Sequence, residues 1–199
     1  MHSSIRSQII ESIKIKEAML NEAALLENIQ TAVKQCISAI RAGNKIFFCG
    51  NGGSAADAQH LAGELVSRFA YDRDALPGLA LTTDTSVLTA IGNDYGFEHS
   101  FSRQIKGLGR PKDVLIALST SGNSQNILAA CVAARALGIF CIGMTGQSGG
   151  KLLHHVDICL NVPSNLTPRI QEAHICIGHI LCGEIEAGMF PRDQAQLAQ

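Results

Sequence analysis

The run Lys45-Ile46-Phe47-Phe48-Cys49, followed at once by Gly50-Asn51-Gly52-Gly53-Ser54, constrains this chain more than any other stretch. So short an apolar run suits a buried strand better than a helix. The glycines then allow a sharp turn and a close approach of main chain to a ligand. From Ser54 onward, Ala55, Ala58, Leu61, Ala62 and Leu65 recur at helical spacing and mark one apolar face. A strand, a Gly-rich turn and a helix N-terminus make an anion site, because unpaired N–H groups and the helix dipole converge there. One turn further in, His60 and Glu64 stand four residues apart and share a helix face. A phosphate cradle beside a base and a candidate metal ligand points to an enzyme acting on a phosphorylated small molecule.

The rest of the chain alternates in the same way. Residues Ser3 to Arg41 read as two helices, with Gly43 placed to end the second. Strands are expected at residues 79–83, 113–119, 139–144 and 156–163, in addition to the first. Helical patterns are expected at 86–91, 97–108 and 124–137, with Gly92-Asn93-Asp94-Tyr95-Gly96 as a turn. A last helix opens with Thr167 as N-cap and Pro168 at the first helical position, and runs to about Met189. The polar tail after Pro191 is expected to fray. Strands separated by helices at this spacing predict an α/β fold: a doubly wound, five-stranded parallel sheet of flavodoxin-like type, with helices on both faces. Two units are expected: a helical pair at 1–42 that packs on the domain and on other subunits, and an α/β domain at 43–199 that holds the candidate site.

Composition narrows the function classes. With 199 residues, 46% hydrophobic and 17% charged, the chain supports a soluble domain with a sizeable core. A net charge of -1 argues against nucleic acid as a partner. Seven cysteines, an odd number and mostly within apolar runs, read as reduced core residues in a cytoplasmic protein. The start of the chain lacks the apolar region of a signal peptide. The longest apolar stretch, Ile127 to Met144, is interrupted by Arg135 and two glycines, so no membrane span is expected.

Further polar groups fall at strand ends. Ser119-Thr120-Ser121-Gly122-Asn123-Ser124 puts four hydroxyls and a glycine between a strand and a helix start, and could hold a phosphate without Lys or Arg. Gly50, Gly52 and Ala55 also fit a loose dinucleotide fingerprint, but Asp72 and Asp74 lie in a loop instead of at the strand end a ribose partner needs. The final helix carries Gln171, Glu172, His174 and His179 among Ile170, Ile175, Ile177, Ile180 and Leu181. Polar residues in so apolar a helix need partners if buried. His60 and Glu64 alone could be a solvated face; two polar rows on separate helices strengthen the case for a site. Adjacent His154 and His155 point in different directions and read as surface or loop.

Asn51-Gly52-Gly53-Ser54, His60, Glu64, Asn93-Asp94, Ser119 to Ser124, and Arg169-Ile170-Gln171-Glu172 through His179 together resemble the phosphoheptose isomerases, which carry the sugar isomerase (SIS) fold. The resemblance covers nearly the whole chain. It implies conversion of sedoheptulose 7-phosphate to D-glycero-D-manno-heptose 7-phosphate, the first step towards ADP-heptose for lipopolysaccharide or related glycoconjugates. It implies a homotetramer with active sites at subunit interfaces, and one zinc ion per subunit held by His60, Glu64, Gln171 and His179. It implies Glu64 as general base and His179 as acid. Substrate contacts would fall on Asn51, Gly52, Gly53, Ser54, Glu64, Asn93, Asp94, Ser119, Thr120, Ser121, Ser124 and Gln171. Two other readings stay open: a non-catalytic tetrameric regulator of this fold that binds the bacterial replication initiator protein, and an isomerase or sensor for a different sugar phosphate.

Overall fold

Two helices lead the chain, α1 (His2–Asn21) and α2 (Ala23–Arg41). The structure, a computed structural model, describes residues 2–192, with the backbone alone at 2 and 3. The expected fraying tail lies largely outside the described residues. After α2 come β1 (Ile46–Cys49), α3 (Gly53–Val66), β2 (Gly78–Ala80), α4 (Thr85–Tyr95), α5 (Ser102–Leu108), β3 (Val114–Leu118), α6 (Gln125–Ala136), β4 (Phe140–Thr145), β5 (Ile158–Asn161) and α7 (Thr167–Met189). The sheet is parallel throughout, in the order β2-β1-β3-β4-β5. That is the flavodoxin-like order, whose strand order reverses between β1 and β3 and so opens a crevice at their carboxyl ends.

Each central strand is shared between two cores because its side chains alternate faces. Ile46 and Phe48 of β1, with Val114, Ile116 and Leu118 of β3, pack against α2, α3 and α7. Phe47 and Cys49, with Leu115 and Ala117, pack on the other face with Ile105 of α5 and Ile127, Ala130 and Cys131 of α6. Burial on both faces explains why these strands read as continuous apolar runs. The seven cysteines are all free thiols. Burial pushes those of Cys36 and Cys49 far above their ordinary value, which suits inert core residues.

Four local expectations are corrected. Gly92, Asn93 and Asp94 do not form a turn: α4 continues to Tyr95, capped by the Asp84 carboxylate, which accepts from the Val87 N–H at 2.9 Å. The stop is Gly96, whose φ of 94° ends the helix, while Gly92 is carried within it at a cost of about 1 kcal/mol. The helix expected over 97–108 is broken into a 3-10 turn, Phe97–His99, and α5. The break sends Ser100 and Phe101 into the interior, at 0% and 2% exposure. Thr167 is the first residue of α7 and not its cap; Leu166 takes the cap position, and its N–H donates to Ser164 Oγ at 3.2 Å. The second strand is also shorter than expected, ending at Ala80.

Candidate functional site

The β1–α3 turn is built for close approach. At Gly50 a side chain would run into the main-chain oxygen of Ser54, and Gly52 holds a φ of 56°. Ser54 itself is buried at the start of α3. Across the sheet, Ser119 to Ser124 joins β3 to α6. Ser119 is buried, and its hydroxyl lies 3.3 Å from that of Ser124. Gly122 (φ 64°) packs on the Gly149 carbonyl, where no side chain fits. Thr120 is half-buried and Ser121 exposed; Ser121 Oγ accepts from the Asn123 N–H at 3.2 Å. These loops end neighbouring strands at the crevice.

Helix α7 lies against α3 along a shared core of Leu61, Leu65, Ile177 and Leu181. Glycines set the closeness of that contact. A methyl group on Gly178 would meet Leu61 Cδ2 at 2.6 Å, and one on Gly53 would meet Gln171 Nε2 at 2.6 Å. The close packing brings His179 to α3. His60 Nε2 lies 2.9 Å from His179 Nε2 and 3.2 Å from Glu64 Oε1. One ligand atom from each of the three falls within 4.8 Å of the others. The Phe69 ring stands 5.6 Å from that of His179.

Gln171 sits eight residues before His179 with its amide against Gly53, and no hydrogen bond joins it to His60, Glu64 or His179 among the described residues. Asn93 and Asp94 lie exposed in the last turn of α4, where Asn93 Nδ2 donates to Asp94 Oδ1 at 2.8 Å. The Asn51 side chain is engaged with Asn126 of α6. One group was missed by sequence reasoning. Asp57 precedes His60 by three residues and Glu64 by seven, a spacing that places all three on one helix face. Burial raises the Asp57 carboxyl above its ordinary value, while His60 and His179 pull it back down. Its Oδ2 is buried without a hydrogen-bond partner. Two imidazoles, a carboxylate and an orphaned carboxylate oxygen fit a divalent cation with a taste for nitrogen and oxygen. His154 is exposed and His155 half-buried at the 3-10 turn Gly150–His154, away from this cluster's members in sequence.

The fold and site together define a sugar-phosphate-handling α/β protein, and comparison with known proteins agrees. Residues 11–146 match the family model described as the SIS domain. A phosphoheptose isomerase from Aneurinibacillus thermoaerophilus is 54% identical over 190 residues, 96% of each chain. One from Burkholderia pseudomallei is 54% identical over 186 residues, 94% of each. Among solved structures, a phosphoheptose isomerase from Neisseria gonorrhoeae superposes with a TM-score of 0.88 at 43% identity, covering 94% of this chain and 98% of that one. This chain belongs to the phosphoheptose isomerase family of SIS-domain enzymes.

Proposed function

We propose that the enzyme converts D-sedoheptulose 7-phosphate to D-glycero-D-manno-heptose 7-phosphate through an enediol, as the first step of ADP-heptose synthesis. The observation that carries this reading is the meeting of His60, Glu64 and His179 from two helices far apart in sequence. Family membership supports it, and the comparisons lend nothing to a non-catalytic regulator of the replication initiator.

The reaction moves one proton between adjacent carbons. The hydroxyls and N–H groups of Ser119 to Ser124 receive the phosphate, and that remote grip holds carbons 1 and 2 in place. Glu64, half-buried, takes the proton from carbon 1 and returns it at carbon 2. Charge gathers on the carbonyl oxygen as the proton leaves, so a donor must stand opposite the base. His179, on the facing helix, gives a proton to that oxygen to form the enediol and takes one back from the hydroxyl on carbon 1 as the aldehyde forms. Phe69 beside its ring limits water on that side. His60, Glu64 and His179, with Gln171 as the expected fourth ligand, would hold a zinc ion, which supplies Lewis acidity towards the substrate oxygens.

The protein is read as a cytoplasmic homotetramer with its sites at subunit interfaces. His60 is 48% exposed in the single chain, which suits a site closed by a neighbour. No described helix is long and apolar enough to cross a membrane. The deciding experiment incubates purified enzyme with sedoheptulose 7-phosphate, with and without chelator. The expected result is aldose formation that chelation removes and zinc restores; absence of aldose from metal-replete enzyme would overturn the reading.

A further inference from the structure

Asn126 has no part in the chemistry above, yet its amide joins three segments of the crevice. It is the second residue of α6 and 3% exposed. Its Oδ1 accepts from Asn51 Nδ2 at 2.8 Å, and its Nδ2 donates to Asn51 Oδ1 at 2.9 Å. The same Nδ2 donates to Ser100 Oγ at 3.2 Å. Ser100 is fully buried. Both of the amide's N–H bonds are thus used, along with one of its two acceptor positions.

Asn51 and the serine loop that ends just before Asn126 are expected to meet substrate, and Ser100 follows the helix that carries Asn93 and Asp94. Asn51 opens the glycine turn before α3. Ser100 lies six residues beyond Asp94, where the chain turns from α4 into α5. Asn126 begins the helix that follows the serine loop. In a buried network the loss of one partner leaves its mate unsatisfied, so the three segments hold or shift together.

We propose that Asn126 is a positioning residue that locks the β1–α3, α4–α5 and β3–α6 loops in one register, and that the Asn51 side chain serves this lock instead of touching substrate. The functional consequence rests on the isomerase reading; the lock itself does not. A sugar phosphate is gripped at both ends, by the serine loop at its phosphate and beside Glu64 at carbons 1 and 2. The spacing between the two grips is set by how the loops are tied, and a slip of about 1 Å can cost on the order of a hundredfold in rate.

The test compares Asn51→Leu, Asn126→Leu and the double variant in full-length, metal-loaded enzyme. Each single substitution is expected to lower kcat/KM for sedoheptulose 7-phosphate by about thirtyfold, and the double to lose no more than either single, because all three break one pair. The inhibition constant of inorganic phosphate, which reads the serine loop alone, is expected to stay within about threefold of wild type. An Asn51 side chain that touches substrate would make Asn51→Leu the worse single and the double additive, and this outcome overturns the proposal. A parallel weakening of phosphate inhibition also overturns it, since the serine loop would then be deformed and not merely out of register. Hydrogen exchange decides the lock without turnover: amides of residues 50–54 and 97–103 should exchange faster in both single variants, with far-UV circular dichroism retained, and unchanged exchange refutes it. Should the leucine variants fail to fold, Ser100→Ala removes only the third bond and should act in the same direction by about threefold, with no change counting against the lock. Wild-type enzyme that leaves sedoheptulose 7-phosphate unchanged would refute the isomerase reading while the exchange result still stands.

Discussion

The role proposed for Glu64 sets two constraints, since the same carboxylate would serve as base and lies 3.2 Å from an imidazole nitrogen. Replacing it with an isosteric amide removes the base and keeps the volume. Glu64→Gln is expected to lower kcat by a thousandfold or so while leaving thermal unfolding within about 1 kcal/mol of wild type. Turnover near the wild-type rate would remove Glu64 from the mechanism. His174 presents a different residue-scale case. It is fully buried on α7, and neither ring nitrogen makes a hydrogen bond. Burial lowers its value from 6.5 to about 4, with the Thr145 main chain pulling weakly the other way. The unfolded chain therefore binds a proton that the folded one refuses. Its contribution is fully present above about pH 6.5 and declines towards pH 4, by up to roughly 3 kcal/mol. Urea unfolding at pH 7 and pH 5 should show that decline in wild type and a smaller one in His174→Leu. The sequence revealed such residues unevenly. His60 and Glu64 were legible from a four-residue spacing, and Asp57 could have been found from the same row. The meeting of His60 with His179 had no local spacing to show it, because 119 residues separate them, and was expected only through the family resemblance. A local trace of it is Gly178, where α7 needs a small residue to reach α3.

At the scale of elements, α3 and α7 are tied below the site by Arg73 and Glu186. Both side chains are almost wholly buried. Glu186 accepts from the N–H groups of Phe69 and Ala70, each at 2.8 Å, and from Arg73 Nε at 3.0 Å. Arg73 donates onward to the carbonyls of Glu64 and Leu65, at 2.8 and 2.7 Å, near the end of α3. It thus satisfies groups that the helix terminus leaves free. Burial alone would raise the Glu186 carboxyl, but the two N–H groups and Arg73 together hold it below its ordinary value. A depressed folded value stabilises the fold above the unfolded carboxylate value and is lost as pH falls through the folded one. Glu186→Gln should cost about 3–5 kcal/mol in urea unfolding at pH 7, and the gap from wild type should narrow below about pH 4. A pH-independent gap, or one under about 1 kcal/mol, would contradict this account. Nothing in the stretch Tyr71 to Gly78 announced that clasp, since a polar loop gives no periodicity to read. The sheet was legible for the opposite reason: strands buried on both faces are apolar throughout, and their spacing admits few topologies. The α4 region misled because Gly-Asn-Asp usually marks a turn, whereas here the Asp84 cap starts the helix and Gly96 alone can stop it.

At the scale of the whole molecule, α1 poses the largest question. Met19 and Ile15 face the core with α2 and α7. Its outer side carries Ile5, Ile9 and Ile13, exposed at 57%, 57% and 50%, at four-residue intervals. Three isoleucines in one row form a continuous apolar strip, which a lone soluble chain has reason to avoid. Leu26 of α2 and Ile180 of α7 add further exposed apolar surface, each at 43%. A second copy of the chain is the natural cover, and it would also close the half-open face of α3 that holds His60. Fully burying one isoleucine is worth about 1.5–3 kcal/mol, so two lost per protomer outweigh much of a subunit contact. Ile9→Glu combined with Ile13→Glu should therefore leave the chain folded by circular dichroism and lower its mass in sedimentation equilibrium below that of the unsubstituted protein, proposed above to be a tetramer. Activity should fall with the mass and recover at high protein concentration, because assembly would then be limiting and not the chemistry. A variant that keeps the mass and activity of the unsubstituted protein would show that α1 is no part of a subunit interface, and the strip would need another partner.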